Sequence, residues 1–234
     1  MKPKTATPRR GDASLLDLLF MLIAVAVVVM VFFPMVAKRT TRSSRIGCVN
    51  NLKQVGLSFR WWLGDNDDKF PAQVSTNAGG VKELVASGAV YPHFVAISNE
   101  LGTPKILLCP HDAARLPATN FVSLRDTNIS YFVVPEADET IPEMWLSGDR
   151  NLATNTVPLK AGLFLMPTNR VMSWTAQLHQ HGGNVVFADG SVQQLNSRKL
   201  HESATNALGA YYATNAPRAY YGTEPKVTFR LAIP

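Results

Sequence analysis

The chain opens with a long apolar run close to its N-terminus. The 19 residues from Leu18 to Val36 include no charged side chain. At about 1.5 Å of rise per residue, a helix of this length spans roughly 28 Å, close to the ~30 Å hydrocarbon thickness of a bilayer. The run is long for the apolar core of a cleaved secretory signal, and Met35-Val36-Ala37 is a poor match to a signal-peptidase site. The pattern favours a transmembrane helix, with a cleaved signal as the alternative.

A second helical pattern follows directly and is amphipathic. Between Arg42 and Leu63 the apolar residues recur at steps of three and four, which is typical of one face of a helix. The residues of that face are Cys48, Leu52, Val55, Phe59 and Trp62. Gly64 and the polar residues after it predict the end of the helix. We expect one helix of roughly 50 residues, half in lipid and half in a folded domain, with Pro34 as a candidate kink.

Beyond Pro71 the pattern changes to short β-rich runs between turn residues, which predicts antiparallel strands. The clearest signal is the hairpin 184–195, where Asp189-Gly190 between two β-rich runs predicts a two-residue type I′ turn. Residues 197–225 predict a short helix and a loop. Further strands are predicted at 106–109, 129–134, 163–166, 171–174 and 227–233. The fold class is therefore α+β, with a long N-terminal helix packed on a small antiparallel sheet domain.

The excess positive charge lies around the apolar run and not on the rest of the chain. The formal net charge is +6, and residues 1–45 account for all of it with 8 basic and 2 acidic side chains, while residues 46–234 carry 15 of each sign. A nucleic-acid-binding domain would carry such an excess on its folded part, so we expect no nucleic-acid partner. Basic residues that flank an apolar run suit anionic lipid headgroups instead.

The two cysteines bear on the compartment. Cys48 and Cys109 both follow the apolar run, and an even pair fits an oxidising compartment. We predict a disulfide between them, with two buried thiols as the alternative. The expected organisation is a cytoplasmic leader-like segment (1–12), a transmembrane helix (13–41) in the inner membrane and an extracytoplasmic domain (42–234).

Several polar side chains are candidates for chemistry or metal binding. They are His179, His181, Asp189, His111 and Asp112, together with the acidic segment Asp65–Asp68. His179 and His181 would share one face of a strand, but no established metalloprotease, zinc-finger or nucleophile-elbow spacing accompanies them. The acidic segment lacks the glycine and the twelfth-position acid of an EF-hand, which favours a solvated helix end. We expect no catalytic residues, metal or cofactor, with Asp189 and Gly190 forming the turn and His179 packing or hydrogen bonding beneath the hairpin.

The N-terminal segment resembles a known family. Ala13-Ser14-Leu15-Leu16-Asp17-Leu18-Leu19, followed by the apolar run and Pro34, is similar to the start of type IV pilins and type II secretion pseudopilins. Counting Ala13 as the first mature residue places Asp17 at the family's acidic fifth position and Pro34 at its twenty-second. The resemblance implies cleavage before Ala13 and a contact between Asp17 and the freed α-amino group of a neighbouring subunit. The capping-box spacing of Ser14 and Asp17 offers a local role for the acid instead.

Three further elements are similar to a pseudopilin-like subgroup. The segment Cys48-Val49-Asn50-Asn51-Leu52-Lys53-Gln54 resembles its Cys-x-Asn-Asn-Leu-Lys-Gln element, and Leu107-Leu108-Cys109-Pro110 resembles its Leu-x-Cys-Pro element. His179 and Asp189-Gly190 match its His-x9-Asp-Gly signature. The resemblance implies a pilin-like fold.

The resemblance also implies a function. A pseudopilin-like subunit is a non-enzymatic part of a type II secretion or type IV pilus-like assembly, whose partners are membrane lipid, other pilin-like subunits and secretion-system components. The residue before the cut is Asp12, where the family has glycine, and Gly11 lies one position earlier. This difference favours the alternative of an uncleaved, single-pass binding module that presents its β domain to a glycan or a protein. The histidines alone support a third hypothesis, a tethered hydrolase.

Overall fold

The structure, a computed structural model, describes residues 15–166, 169–219 and 229–234, and gives their side chains except at 34–44 and 216–219. The chain divides into two compact units, Met1–Ser43 and Ser44–Pro234. The α-helices are α1 (Leu15–Gly64), α2 (Tyr91–Ala96), α3 (Ser98–Leu101) and α4 (Ser197–Ala219). The strands are β1 (Tyr131–Val133), β2 (Trp145–Asp149), β3 (Leu152–Thr154), β4 (Val157–Pro158), β5 (Gly162–Leu165), β6 (Met172–Trp174), β7 (Gly182–Phe187), β8 (Val192–Asn196) and β9 (Arg230–Ile233). Short 3-10 helices occur at Pro71–Gln73, Thr76–Ala78, Lys82–Ser87, Pro104–Leu107 and Asp126–Asn128.

The described part of the first unit is the beginning of α1. The stretch Leu15–Phe33 is long and apolar enough to cross a membrane. Its 16 large apolar side chains are between 51% and 86% exposed. The predicted N-terminal apolar helix is therefore confirmed. Asp17 lies in the first turn of α1 and is exposed. The predicted processing residues Gly11, Asp12 and Ala13 lie outside the described residues, as does Ser14 of the capping box.

The rest of α1 belongs to the second unit and is amphipathic, as its periodicity predicts. All five residues of the predicted inward face are 0–6% exposed, whereas Trp61, on the opposite side, is 58% exposed. The helix approaches β7 closely at Gly56, where an added Cβ would lie 2.8 Å from a methyl group of Val186. The helix ends at Gly64, as predicted.

The second unit is built on two antiparallel sheets. The larger has six strands in the order β5-β9-β1-β2-β7-β8, and the smaller has three in the order β4-β3-β6. The amphipathic part of α1 and the larger sheet share one buried core, whose largest side chains include Trp145, Tyr131, Phe59, Phe94 and Phe132. Helix α4 packs against β6 and β8. The predicted combination of helix and antiparallel sheet is therefore confirmed.

Several predicted elements differ in the structure. The prediction of a strand at 106–109 is wrong, because a 3-10 helix begins at Pro104 and ends at Leu107. The predicted short helix and loop at 197–225 is instead the 23-residue α4, and residues 220–228 lie outside the described part of the chain. The strands predicted at 129–134, 171–174 and 227–233 are present as the shorter β1, β6 and β9, with 227 and 228 not described, and the strand predicted at 163–166 is present as β5, one residue earlier.

The hairpin β7–β8 is present, but its turn is not the predicted two-residue type I′ turn. Of the two central residues, only Gly190 has a positive φ, at 83°. The N–H of Gly190 donates to the carbonyl oxygen of Phe187, and the N–H of Phe187 donates to that of Ser191, each at 2.9 Å. These bonds define a three-residue loop with the glycine in the left-handed region, which needs only one residue at positive φ. The Asp189 carboxylate accepts from the N–H of Ser191 at 2.7 Å, so it stabilises the loop from its side chain.

Candidate functional site

The predicted disulfide is present and joins α1 to the β domain. Cys48 and Cys109 are bonded, and both are fully buried. One turn along α1, the side-chain amide of Asn51 donates to the carbonyl oxygen of Leu108 at 3.1 Å. Two of the three elements that are similar to the pseudopilin-like subgroup therefore contact each other directly.

The third element, His-x9-Asp-Gly, contacts the disulfide through His179. The Nε2 atom of His179 lies 3.4 Å from the Sγ atom of Cys109. The ring of His111 lies edge-on to that of His179, with 5.0 Å between the ring centres. The carbonyl oxygen of His179 accepts a hydrogen bond from Arg45 of α1 at 3.3 Å. Cys48, Cys109, His111 and His179, here named the Cys/His cluster, each offer one donor atom, and these atoms all lie within 4.8 Å of one another.

A buried carboxylate lies beside the Cys/His cluster. Asp149, on β2, is fully buried, and its Oδ2 atom is 3.2 Å from the Nε2 atom of His179. The same oxygen accepts from the backbone N–H and the side-chain amide of Asn184, at 2.7 and 2.8 Å. Among the described residues, the Oδ1 atom of Asp149 and the Nδ1 atom of His179 are buried without a hydrogen-bond partner. A buried polar atom without a hydrogen-bond partner costs free energy. These two atoms could therefore each bind a further polar partner.

An ion-pair network fixes the loop that carries Cys109 and His111. Asp112 accepts two hydrogen bonds from Arg150, one to each carboxylate oxygen at 2.8 Å, and a third from the hydroxyl of Ser130 at 2.8 Å. Arg115 lies 3.7 Å away. Burial raises the pKa of Asp112, but the bonds from Arg150 and Ser130 outweigh burial and hold this pKa below the usual value. Asp112, one of the sequence candidates for chemistry, is therefore a paired structural carboxylate.

The His-x9-Asp-Gly signature occupies both ends of one strand. His179 precedes β7, and Asp189 and Gly190 follow it, so the two halves of the signature lie about one strand length apart, roughly 20 Å. The first half reaches α1 through the contact with Arg45. The second half reaches it near Arg60, since a Cβ on Gly190 would lie 2.7 Å from the Arg60 Cδ atom. His179 therefore does not lie under the turn, and the signature attaches both ends of β7 to α1.

Two histidines have lowered pKa values. Burial is the main cause for His111, and the nearby His179 and Arg45 lower its pKa further while Asp149 raises it. His111 is therefore largely neutral at pH 7, with a free lone pair for a proton or a metal. His93 lies away from the cluster on α2, and burial lowers its pKa to about 4.

The remaining sequence candidates do not join the cluster. His179 and His181 do not share a strand face, because both precede β7 in a turn where His181 has φ 64°. His181 is exposed, and its ring contacts the carbonyl oxygen of Trp174 at 3.3 Å. Asp65, Asp67 and Asp68 are exposed in the turn after α1.

Sequence reasoning missed the association of the cysteines with His111 and His179. These side chains come from α1, from the loop after Leu107 and from the turn before β7, so no local spacing brings them together. The only local signal is Cys109-x-His111, which puts two metal-ligand types two residues apart. Asp149 and Arg150 were missed as well, because both belong to a strand and loop that the pattern did not predict.

The cluster has the composition of a metal site, but its sulfurs are joined in a disulfide. In this form it provides a covalent link between α1 and the loops, two imidazoles and a buried carboxylate. A groove of about 300 Å³ lined by Arg45, His179, His181, Asn184 and Gln194 adjoins it.

Comparisons with known proteins give no relative for this chain. No protein-family model, no curated protein and no solved structure matches it.

Proposed function

We propose that this chain is a non-enzymatic, pseudopilin-like structural subunit of a type II secretion or type IV pilus-like assembly. The observation that carries the proposal is helix α1. Its first 19 described residues are exposed and, apart from Asp17, apolar, and its last part forms one wall of the core of a disulfide-bonded domain. Such a helix can anchor the chain in a bilayer and can also pack against copies of itself.

The exposed apolar surface of α1 is larger than monomeric soluble proteins usually present to water. Monomeric soluble proteins rarely expose contiguous apolar patches larger than a few hundred Å², and this stretch exposes 16 large apolar side chains. Lipid covers it in a membrane-inserted subunit, and neighbouring helices cover it in an assembly. Asp17 is the one acid of this stretch, and an acid at the bilayer edge is a functional candidate. By the pilin resemblance, its partner is the α-amino group of the next subunit.

The contacts at the Cys/His cluster support a structural role for the motifs. Cys48 and Asn51 hold the loop at Cys109, while His179 and Gly190 lie close to α1 at the two ends of β7. A subunit that transmits force from its anchor to its domain benefits from such attachment. The disulfide also suits an oxidising compartment, such as the periplasm, for the domain.

The test of the proposal is the intact mass of the protein purified from membranes of cells with and without a prepilin peptidase. We expect a chain that begins at Ala13 or Asp12 when the peptidase is present, and the full-length chain when it is absent. An Asp12→Gly variant is the matched control, because it restores the family's residue before the cut and should be processed at least as completely.

A second candidate is an uncleaved membrane-anchored binding module. Asp12 before the cut favours it, since the family has glycine there. A full-length mass in the presence of the peptidase, with cleavage of the Asp12→Gly variant, would support this module and contradict the pseudopilin. A chain that starts at Lys38 would contradict both, because the apolar run would then be a removed signal.

A further inference from the structure

We propose that the Cys/His cluster is a redox-gated Zn²⁺ site: the dithiol form of the chain binds one Zn²⁺ through Cys48, Cys109, His111 and His179, and the disulfide form does not. Two thiolates and two imidazoles are one of the ligand sets of structural zinc sites. The inference does not depend on the proposed assembly, because it rests only on the second unit.

The first argument is the distance between the donor atoms. In a tetrahedral site with Zn–S near 2.3 Å and Zn–N near 2.0–2.1 Å, neighbouring donor atoms lie about 3.3–3.8 Å apart. The donor atoms of the cluster already lie within 4.8 Å of one another, and His179 Nε2 is 3.4 Å from Cys109 Sγ. To surround one ion, the widest pair of donor atoms needs to close by roughly 1–1.5 Å, and the two sulfurs, 2.09 Å apart in the disulfide, need to separate by roughly 1.7 Å after reduction.

The second argument is the state of the polar atoms. The Nδ1 atoms of both His111 and His179 are buried without a hydrogen-bond partner among the described residues, and His179 is 5% exposed. Each ring thus retains one nitrogen without a partner, and the other nitrogen of His179, Nε2, is the one that lies 3.4 Å from Cys109 Sγ. Imidazoles with a free lone pair are ready zinc ligands, and two thiolates complete a closed site of four.

The third argument is the charge around the cluster. Asp149 places a fully buried carboxylate against His179, and one of its oxygens lacks a partner. A carboxylate that accepts from one ring N–H of a histidine orients the ring and strengthens the other nitrogen as a ligand, so the contact of Asp149 with Nε2 makes Nδ1 of His179 the ligating nitrogen. The guanidinium of Arg45 binds the carbonyl oxygen of His179 and partly opposes this negative charge.

The redox step balances with a dithiol as reductant. Thiol–disulfide exchange with a dithiol transfers two electrons and two protons to the Cys48–Cys109 bond and leaves the reductant as a disulfide. Zn²⁺ then replaces the two thiol protons and releases them to solvent. Oxidation of the two sulfurs reverses the sequence, removes two of the four ligands and frees the ion.

The experiment uses the full chain in detergent micelles, reduced with a dithiol and freed of reductant by anaerobic gel filtration. Zn²⁺ is titrated in competition with a chromophoric chelator, and Co²⁺ uptake reports tetrahedral coordination through its visible absorption. We expect one Zn²⁺ per reduced chain and binding at least about 100-fold weaker in the oxidised chain, since even loss of a residue behind the ligands costs 10–100-fold.

Three histidine variants decide whether the folded cluster is the site. His111→Ala and His179→Ala should each weaken binding by at least about 100-fold in the reduced chain. The exposed His181→Ala, two residues from His179, should leave binding unchanged. The half-buried position of His111 keeps the test valid if His179→Ala fails to fold.

Three results would overturn the inference. The first is no stoichiometric uptake by the reduced wild-type chain. The second is equal binding by the His111→Ala and wild-type reduced chains, which would mean that free thiols alone, as in an unfolded chain, capture the ion. The third is equal binding by the reduced and oxidised chains, which would show that the sulfurs are not ligands.

Discussion

The substitution Asp112→Ala tests the claim that the loop of the Cys/His cluster is held by a buried ion pair. The Asp112 side chain is 1% exposed, and it receives hydrogen bonds from Arg150 and Ser130. Its removal leaves the guanidiniums of Arg150 and Arg115 without their carboxylate. Loss of one partner of a buried pair costs roughly 3–5 kcal/mol. Because both arginine side chains retain 15% exposure, we expect the lower end, roughly 3 kcal/mol.

The assay is urea unfolding of the full-length protein in detergent micelles, followed by tryptophan fluorescence. Trp145 and Trp174 are buried, so their emission reports loss of the fold. The matched control is Glu139→Ala, which removes a more exposed pair with Arg60 at 3.9 Å and should cost less than about 1 kcal/mol. If Asp112→Ala unfolds at the same urea concentration as Glu139→Ala, the buried ion pair does not hold the loop and the reasoning is wrong.

The pH dependence gives a second readout of the same pair. The folded-state pKa of Asp112 is held below the usual carboxyl value of about 3.9, because the Arg150 and Ser130 bonds outweigh burial. The pair therefore stabilises the fold fully above that usual value, and this contribution is lost as the pH falls through the lowered pKa. The stability gap between wild type and Asp112→Asn should narrow accordingly below about pH 4. A gap that stays constant down to acid unfolding would contradict the assignment.

Three further predictions concern the turn, a buried histidine and the disulfide. Gly190→Val should lower stability by about 1–2 kcal/mol in a urea melt, because φ is 83° there, while Gly190→Asn should cost less; equal costs would contradict the turn geometry. His93 has a folded pKa of about 4 against an unfolded value near 6.5, so the unfolded chain binds more protons between these values. Stability should then fall by about 3 kcal/mol from pH 6.5 to pH 4, and His93→Leu should flatten most of that slope in the same melts. Thiol labelling of the denatured, non-reduced chain should find no free cysteine, and reduction should cost about 4 kcal/mol for a sequence separation of 61; full labelling of Cys48 and Cys109 would refute the link.

The sequence was most informative where one local period decides the structure. Helix α1 has a continuous apolar run and then a regular inward face, so both its extent and its buried side follow from spacing. Strand β2 gives no such signal. All five of its residues are buried, including Ser147, Gly148 and Asp149, so the alternation of a half-buried strand is absent. The hydroxyl of Ser147 donates to the carbonyl oxygen of Phe132, and Asp149 accepts from the N–H of Asn184, so the partners of these polar residues come only with the fold.

The candidate site was predictable in part, for the same physical reason. The disulfide followed from cysteine number and compartment, because only one pairing is possible. The histidines could not be assigned to it, since contacts among Cys48, His111 and His179 depend on the closure of three distant segments. The turn at Gly190 was predicted in place but not in type, because Asp-Gly is compatible with a two-residue loop and with the three-residue loop that occurs.

Cysteine cross-linking in native membranes tests the central claim most directly, namely that α1 anchors the chain and assembles with copies of itself. The two native cysteines are joined to each other, so a single cysteine introduced between Leu18 and Phe33 is the only free thiol. We predict cross-linked pairs between copies at positions that recur every three or four residues, because one helix face would meet a neighbour. The Asp17→Ala background should reduce the yield. Uniformly monomeric chains at every position would contradict assembly and leave only a solitary anchored domain.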